Sequence, residues 1–568
     1  MKPIRLSRWQ QLRLRENQLF LALTLVVGVL AGLSAVLFAL SIDLTARVLF
    51  GVNPTQLRLF LVPIGGSLVA GALLSWVFPA VRGSGVPQTK AAFHLHQGAI
   101  PARVPIGKFL TGALCIGSGH SIGREGPSVQ IGAGLASSIG RWARLSPARV
   151  KDLLAVGSAG ALSAAFNTPV AAVLFTLEEI IGDLNASLLG STVLASVSAV
   201  VAQRAILGNE PLFRVPAYHL EHPAELLAYA ALGVVGGILS VIFSRGVLGL
   251  RAAFMRLPAS TRILQPALGG VVIGGMLTVT PQVMGVGYEH VDQALNGGLL
   301  LPTMAVLCFM KIAATIVSYA SGNAGGIFAP SLFIGAMAGG VVGALVQQAA
   351  PFPTADAGAY ALVGMGTLFA GIVRAPMTSV FMIFEITQDY QILVPLMVAN
   401  LLSFTISRRY QAVPLYNALL DQDRVHLPAA PERAAEGTLT AADVMAEVPS
   451  LVPADEPAVH LWDGGRTPRA VYLVGSGDRL AGIVRASRLE EAAREGRSGL
   501  PIGDLVEQPV IHGHPDHALD VVLERLSQSG GLLPIVARDD AEQLVGVITF
   551  EGIARTIKER RSPSPSIL

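Results

Sequence analysis

The sequence predicts a mainly α-helical protein that crosses a membrane many times and ends in a small soluble α/β tail. Three observations carry that prediction. Only 14% of the 568 residues are charged and 52% are hydrophobic, where a soluble chain has roughly 25% charged residues. Apolar segments recur from residue 19 to residue 407, and from about residue 409 the composition turns polar. A net charge of +3 gives no reason to expect nucleic-acid binding. The two cysteines, Cys115 and Cys308, lie far apart in apolar segments with neither disulfide nor metal-ligand spacing. They read as inert packing residues.

The chain opens with the basic stretch MKPIRLSRWQQLRLRE and runs at once into LFLALTLVVGVLAGLSAVLFAL. That front resembles a signal peptide. The apolar run, however, has the roughly 20 residues that span a bilayer, and many more such runs follow. It therefore reads as a retained first helix, with Lys2, Arg5, Arg8, Arg13 and Arg15 placing the N-terminus in the cytoplasm. Further apolar segments lie near 56–78, 103–119, 152–177, 187–206, 225–246, 264–279, 304–320, 326–348, 359–384 and 391–407. Several are short or interrupted by Gly and Pro. Irregular backbone survives in a bilayer only when buried in protein or lining a wet cavity, so a bundle of plain rods is excluded.

Residues 1–420 form the membrane part, in two repeats of about 20–206 and 225–408. The run SRRYQAVPLYNALLDQDRVHLPAAPERAAEG reads as the exit from the membrane, with a linker at 421–439. Residues 440–560 carry short strands and amphipathic helices, divided as 440–497 and 498–560. The tail 561–568 reads as disordered. Within 440–560, LAGIV (480–484) resembles LVGVI (544–548) and ADVM (442–445) resembles GDLV (503–506), a weaker duplication.

The membrane duplication is more specific. GREGPSVQIGAGLASSIG (123–140) aligns with GIFAPSLFIGAMAGGVVG (326–343) at a spacing of 203, which also pairs Ser118-Gly119 with Ser321-Gly322 and Lys108 with Lys311. VGSAGALSAAFNTPVAAVLFTLEE (156–179) aligns with VGMGTLFAGIVRAPMTSVFMIFEI (363–386) at 207, pairing Pro169 with Pro376 and Glu178 with Glu385. Paired halves with broken helices in matching positions point to an ion or substrate site near the bilayer midplane.

Three Gly/Pro breaks, GSGVP (83–87), GREGP (123–127) and GIFAP (326–330), each precede a helix-compatible run. Such a break exposes unpaired N–H groups at the positive end of a helix. Several together would hold a dehydrated anion without a full positive charge. Packing glycines between membrane helices are the ordinary alternative, and the duplication argues against it. Glu125, at one such N-terminus, is itself an anion. It would occupy the place of a mobile one when ionised and leave when protonated, acting as gate and proton carrier. An ion pair with its neighbour Arg124 is disfavoured because adjacent helical side chains diverge; Arg124 fits better as positive potential at the mouth. Glu178 and Glu179 end another apolar run. Since Glu178 has a repeat mate in Glu385, it reads as the structural member and Glu179 as a free carboxylate for proton uptake. The alternative is that both cap a helix in water. Ser118 and His120 could suggest a hydrolase, but no orienting acid is identifiable, and the repeat mate has Asn323 and Ala324 where a base is needed. No enzymatic activity is expected.

The order of GSGVP, GREGP, GIFAP, AFNTPVAAVLFTLEE and PLY (414–416) resembles the CLC family of chloride channels and chloride/proton exchangers over nearly all of residues 20–420. The resemblance implies the inverted-repeat, broken-helix CLC architecture and a homodimer with one anion pathway per subunit. It places the hydroxyls of Ser84 and Tyr416 and the backbone amides of Ile327 and Phe328 on the central anion, with Gly85, Arg124 and Gly126 beside them. Glu125 resembles the gating and external proton glutamate, and Glu179 the internal one. Having both favours a chloride/proton antiporter in the cell membrane over a passive chloride channel. Serine at 84 resembles the chloride-preferring members, and the methionine-type filter of fluoride exporters is absent. Gln88 departs from the family's usual acid. The tail resembles a pair of cytoplasmic CBS modules. Arg485 and Gly552 replace a hydroxyl residue and an Asp of the usual adenine-nucleotide site, which leaves nucleotide binding and a purely dimer-bracing role both open. No other cofactor and no metal are expected; the partners are chloride, protons and lipid.

Overall fold

The computed structural model describes residues 8–561 apart from 184–185, 210–211, 214, 216–219, 428–438, 462–469, 509 and 539. Lys2, Arg5, most of the expected linker and the tail beyond Arg561 lie outside the described residues. The chain separates into two compact units, Met1–Leu427 and Pro428–Leu568.

The first unit is built from seventeen helices among the described residues. Eight form the first series: α1 (Arg8–Phe50), α2 (Gln56–Ala72), α3 (Val86–Leu95), α4 (Arg103–Gly117), α5 (Glu125–Trp142), α6 (Pro147–Phe166), α7 (Pro169–Phe175) and α8 (Ala186–Leu207). Eight more repeat that order: α9 (Glu225–Met255), α10 (Gln265–Val279), α11 (Tyr288–Leu295), α12 (Leu301–Ala320), α13 (Phe328–Ala349), α14 (Ala357–Val373), α15 (Pro376–Thr387) and α16 (Leu393–Tyr410). The last is α17 (Leu415–Gln422). Among the described residues six helices are long and apolar enough to cross a membrane, while α3, α7, α11 and α15 are only 10, 7, 8 and 12 residues long, as interrupted segments require.

Three boundaries differ from the sequence expectation. Helix α1 begins at Arg8 rather than near residue 19, because Gln, Leu, Arg and Glu are good helix formers and no breaker separates them from the apolar run. The segments 152–177 and 359–384 are each two helices. Asn167 and Arg374 adopt left-handed φ values of 59° and 64°, and Pro169 and Pro376 then start new helices. The polar run after residue 409 does not simply leave the membrane part. It first turns back as α17, which buries Leu415 and Tyr416.

The two series hold each other by matched interactions. The carboxylate of Glu178 accepts from Thr378 N–H (2.9 Å), Met377 N–H (3.3 Å) and the Thr378 hydroxyl (2.8 Å) at the start of α15. Its repeat mate Glu385 accepts from Val170 N–H (2.9 Å) and Ala171 N–H (2.7 Å) at the start of α7. Each acid thus caps the other repeat's helix, satisfying orphan donors and the helix dipole. Close crossings are also duplicated. A Cβ on Gly132 would lie 2.4 Å from the Gly157 carbonyl oxygen, and one on Gly335 would lie 2.2 Å from that of Gly364.

The second unit contains two antiparallel hairpins, β1 (Val471–Ser476) with β2 (Arg479–Arg485) and β3 (Leu532–Val536) with β4 (Leu544–Thr549). The repeated LAGIV and LVGVI segments fall on β2 and β4. The packing is interlaced: Leu439, Ala441 and Val444 join the core of Leu519–Ile553, and Ile502 joins that of Ala458–Leu489. Residue 497 is therefore not where two packing units part.

Candidate anion-binding site

The loops ahead of α3, α5 and α13 meet back to back. Gly123 N–H donates to the Gly326 carbonyl and Gly326 N–H to the Gly123 carbonyl, both at 2.7 Å, while Gly325 N–H donates to the Gly83 carbonyl at 3.2 Å. The buried lysines paired by the repeat brace two equivalent loops, those ahead of α3 and α11. Lys108 Nζ donates to the carbonyls of Val81 (2.8 Å) and Gly83 (2.6 Å), and Lys311 Nζ to those of Val283 (3.0 Å) and Gly285 (2.7 Å). The turns that follow α4 and α12 need positive φ, and Gly119 and Gly322 supply it at 95° and 96°. Space at the centre is tight: a Cβ on Gly126 would sit 2.5 Å from Ser84 Oγ.

Four helices begin here. The first intrahelical bonds are Thr89 N–H to Gly85 O, Ser128 N–H to Arg124 O, Ser331 N–H to Ile327 O and Ala418 N–H to Pro414 O, at 3.0, 2.9, 3.1 and 2.9 Å. The amides ahead of them, including those of Ile327 and Phe328, stand outside the helical bonding. Ser84 and Tyr416 are buried, at 0% and 1% exposure. Their side chains lie within reach of each other, yet neither hydroxyl oxygen has a hydrogen-bond partner. Leaving a buried hydroxyl unpaired costs about 1–3 kcal/mol. Two of them beside several helix N-termini form a concave set of donors suited to a small anion. Phe328 closes one side with an aromatic cluster, its ring centroid 4.3, 4.8 and 5.6 Å from those of Phe369, Phe166 and Phe175.

Glu125 is fully buried, and its carboxylate already occupies one of these N-termini. Oε2 accepts from Ala329 N–H at 3.3 Å, in the first turn of α13, and Oε1 accepts from the Tyr288 hydroxyl at 2.5 Å. Both oxygens accept, as an ionised carboxylate does. The Arg124 guanidinium lies over the Tyr288 ring, 5.5 Å from its centroid, and adds positive potential without bonding to its neighbour. Gln88 replaces an acid with a double bridge: its Oε1 accepts from Gly85 N–H (2.9 Å) and its Nε2 donates to the Arg82 carbonyl (3.1 Å). A carboxylate could make only the first bond.

Glu179 lies in a wide helical turn, Thr176–Ile181, and is 5% exposed. It is not the free carboxylate the sequence suggested, nor a cap in water. Lys90 Nζ donates to its Oε1 at 2.8 Å, in an ion pair whose side chains are 7% and 6% exposed. His120 and Ser118 each bond elsewhere. The His120 ring bonds Ser67 and Ser318, and the Ser118 hydroxyl donates to the Cys115 carbonyl.

Two residues escaped the sequence reading. Tyr288 belongs to GVGYE (285–289), which stands 202 residues after GSGVP and is braced by a lysine in the same way. That periodicity could have found it. Lys90 is the only Lys, Arg, Asp or Glu from 83 to 102; its isolation was the available signal.

The sequence matches the voltage gated chloride channel family over residues 66–408. A ClcB-like chloride channel protein of Ralstonia nicotianae is 34% identical over 390 residues, spanning 67% of this chain and 88% of that protein. The H+/Cl− exchange transporter ClcA of Vibrio campbellii is 31% identical over 415 residues, spanning 70% and 87%. Among solved structures, that of a slow cyanobacterial Cl−/H+ antiporter aligns with a TM-score of 0.64 at 27% identity, over 71% of this chain and 97% of the other.

Proposed function

The chain belongs to the voltage gated chloride channel family, and from that premise we propose that it is a secondary active antiporter exchanging chloride for protons. The observation that carries this reading is the seat of Glu125. Its carboxylate occupies the N-terminal end of α13, next to the unpartnered hydroxyls of Ser84 and Tyr416. An anion and the ionised side chain compete for one set of donors. A proton arriving on Glu125 cancels its charge and turns one oxygen into a donor, which no longer matches Tyr288 O–H and Ala329 N–H. The side chain then leaves, and chloride takes the amides of Ile327 and Phe328 with the two hydroxyls. Partial charges hold it, so release stays fast.

Glu179 supplies the second proton site. A passive channel needs no such buried acid, and the ion pair with Lys90 at 2.8 Å holds it in place. Ser84 makes chloride the preferred anion. The protein works as a homodimer in the cell membrane, one pathway per subunit, with the N-terminus and a CBS-type tail in the cytoplasm. In that tail Arg485 pairs with Glu507 at 3.2 Å, which supports a bracing role over nucleotide binding.

The test is proton movement in liposomes with a chloride gradient and the voltage clamped by potassium and valinomycin. Uphill proton transport that is lost in Glu125→Gln and Glu179→Gln supports exchange. Chloride flux without proton movement overturns it in favour of a channel.

A further inference from the structure

We propose that Lys90 is the positioning residue of the inner proton site: it holds the Glu179 carboxylate in place and sets the pH at which that carboxylate takes up a proton. This rests on the exchanger reading above. Lys90 lies one turn into α3, the helix whose N-terminal loop carries Ser84, and its ammonium is 2.8 Å from Glu179 Oε1. Both side chains are almost closed off from water, so neither has solvent as an alternative partner. Among the described residues it is the only cation within ion-pair distance of Glu179.

The surroundings leave that role to Lys90 alone. Helix α3 packs against α5, α6, α17 and the turn that bears Glu179. The other titratable and charged groups on α3 and those elements are His94, Glu125, Arg141, Arg149, Lys151, Asp152, Glu178, Tyr416 and Asp421. His94 bonds the Ile180 carbonyl at 3.0 Å, Lys151 lies on the Phe93 ring and Glu178 is committed to the start of α15. Arg149 reaches Asp152, and Glu125 is held by Tyr288.

A proton reaching Glu179 leaves the Lys90 ammonium buried with no counter-charge, a strongly unfavourable state. Uptake therefore goes with Lys90 moving away, gaining another anion near it or giving up its own proton. Because α3 joins Lys90 to the Ser84 loop, the inner proton step and the anion site share one rigid element. The lysine opposes proton uptake at rest and favours release of the proton once it has been taken up.

The experiment uses the full-length protein in liposomes, measuring chloride flux and proton flux against pH on the side that Glu179 serves. The variants are Lys90→Met, Lys90→Gln, which keeps a donor without charge, and Lys90→Arg, with Glu179→Gln as reference. Lys90→Met and Lys90→Gln are expected to keep chloride flux while the pH profile of proton flux moves alkaline by about one unit or more. Lys90→Arg should restore the native profile, and adding Lys90→Gln to Glu179→Gln should change nothing further. An unchanged profile in Lys90→Gln, or equal loss of both fluxes in Lys90→Gln and Lys90→Arg, overturns the inference. Proton flux left intact in Glu179→Gln also overturns the inference, whereas wild-type protein that moves chloride with no proton flux shows that the exchanger reading has failed instead.

Discussion

Replacing Tyr288 with phenylalanine deletes one atom, the oxygen that donates to Glu125 Oε1 across 2.5 Å. The ring is held by an edge contact with Phe213, centroids 5.3 Å apart, and by Arg124 over its face, so phenylalanine occupies the same place. What then remains on the carboxylate from other residues is the Ala329 amide at 3.3 Å, beyond the usual N–H···O range, and the nearby charge of Arg124. A hydrogen bond to a charged acceptor contributes about 1.5–3 kcal/mol net. At about 1.4 kcal/mol per factor of ten, the seated gate loses roughly a ten- to hundredfold advantage over the released one. Because the lost bond favours the ionised, seated form, release should need fewer protons. The half-maximal pH of chloride efflux should rise by about one to two units. The assay is chloride efflux from liposomes over the acid to neutral range, for wild type, Tyr288→Phe, Glu125→Gln and the double variant. Tyr288 acts through Glu125, so Tyr288→Phe should add nothing to Glu125→Gln. An efflux profile for Tyr288→Phe within twofold of wild type throughout would refute the reasoning.

Other substitutions separate anion binding from stability. Ser84→Ala and Tyr416→Phe each remove a hydroxyl that lacks a protein partner, so thermal stability should hold while chloride affinity by calorimetry falls about tenfold or more. Unchanged affinity would remove both from the site. Gly126→Ala places a methyl 2.5 Å from Ser84 Oγ and 2.7 Å from the Ser84 carbonyl oxygen. It should displace that loop and weaken chloride binding at least as much as Ser84→Ala does. Glu178→Gln keeps one acceptor for the start of α15 but loses the charge, costing about 1 kcal/mol. A melting temperature a few degrees lower with proton coupling intact is expected, and loss of coupling would reassign Glu178 to the proton path.

Much of the architecture could be read from the sequence because a duplication leaves matched marks. Lys108 and Lys311, the GREGP and GIFAP breaks, and Glu178 with Glu385 were paired by spacing alone, and each pair makes equivalent contacts. Asymmetric features were harder to read. Nothing local to Glu179 announces Lys90, 89 positions earlier, and nothing local to Glu125 announces Tyr288, 163 positions later.

By itself, then, the sequence determined the membrane class, the twofold repetition and the places where glycine and proline break the helices, and it singled out Glu125 and Glu179. Those follow from composition, glycine and proline positions and hydrophobic runs, which act over a few residues. Only the tertiary structure decided which donors each acid meets, that Ser84 and Tyr416 keep unpartnered hydroxyls side by side, and that α17 returns to the core to bring Tyr416 there. These are properties of side chains far apart in the chain. They are fixed when burial leaves each polar group one available partner, or none.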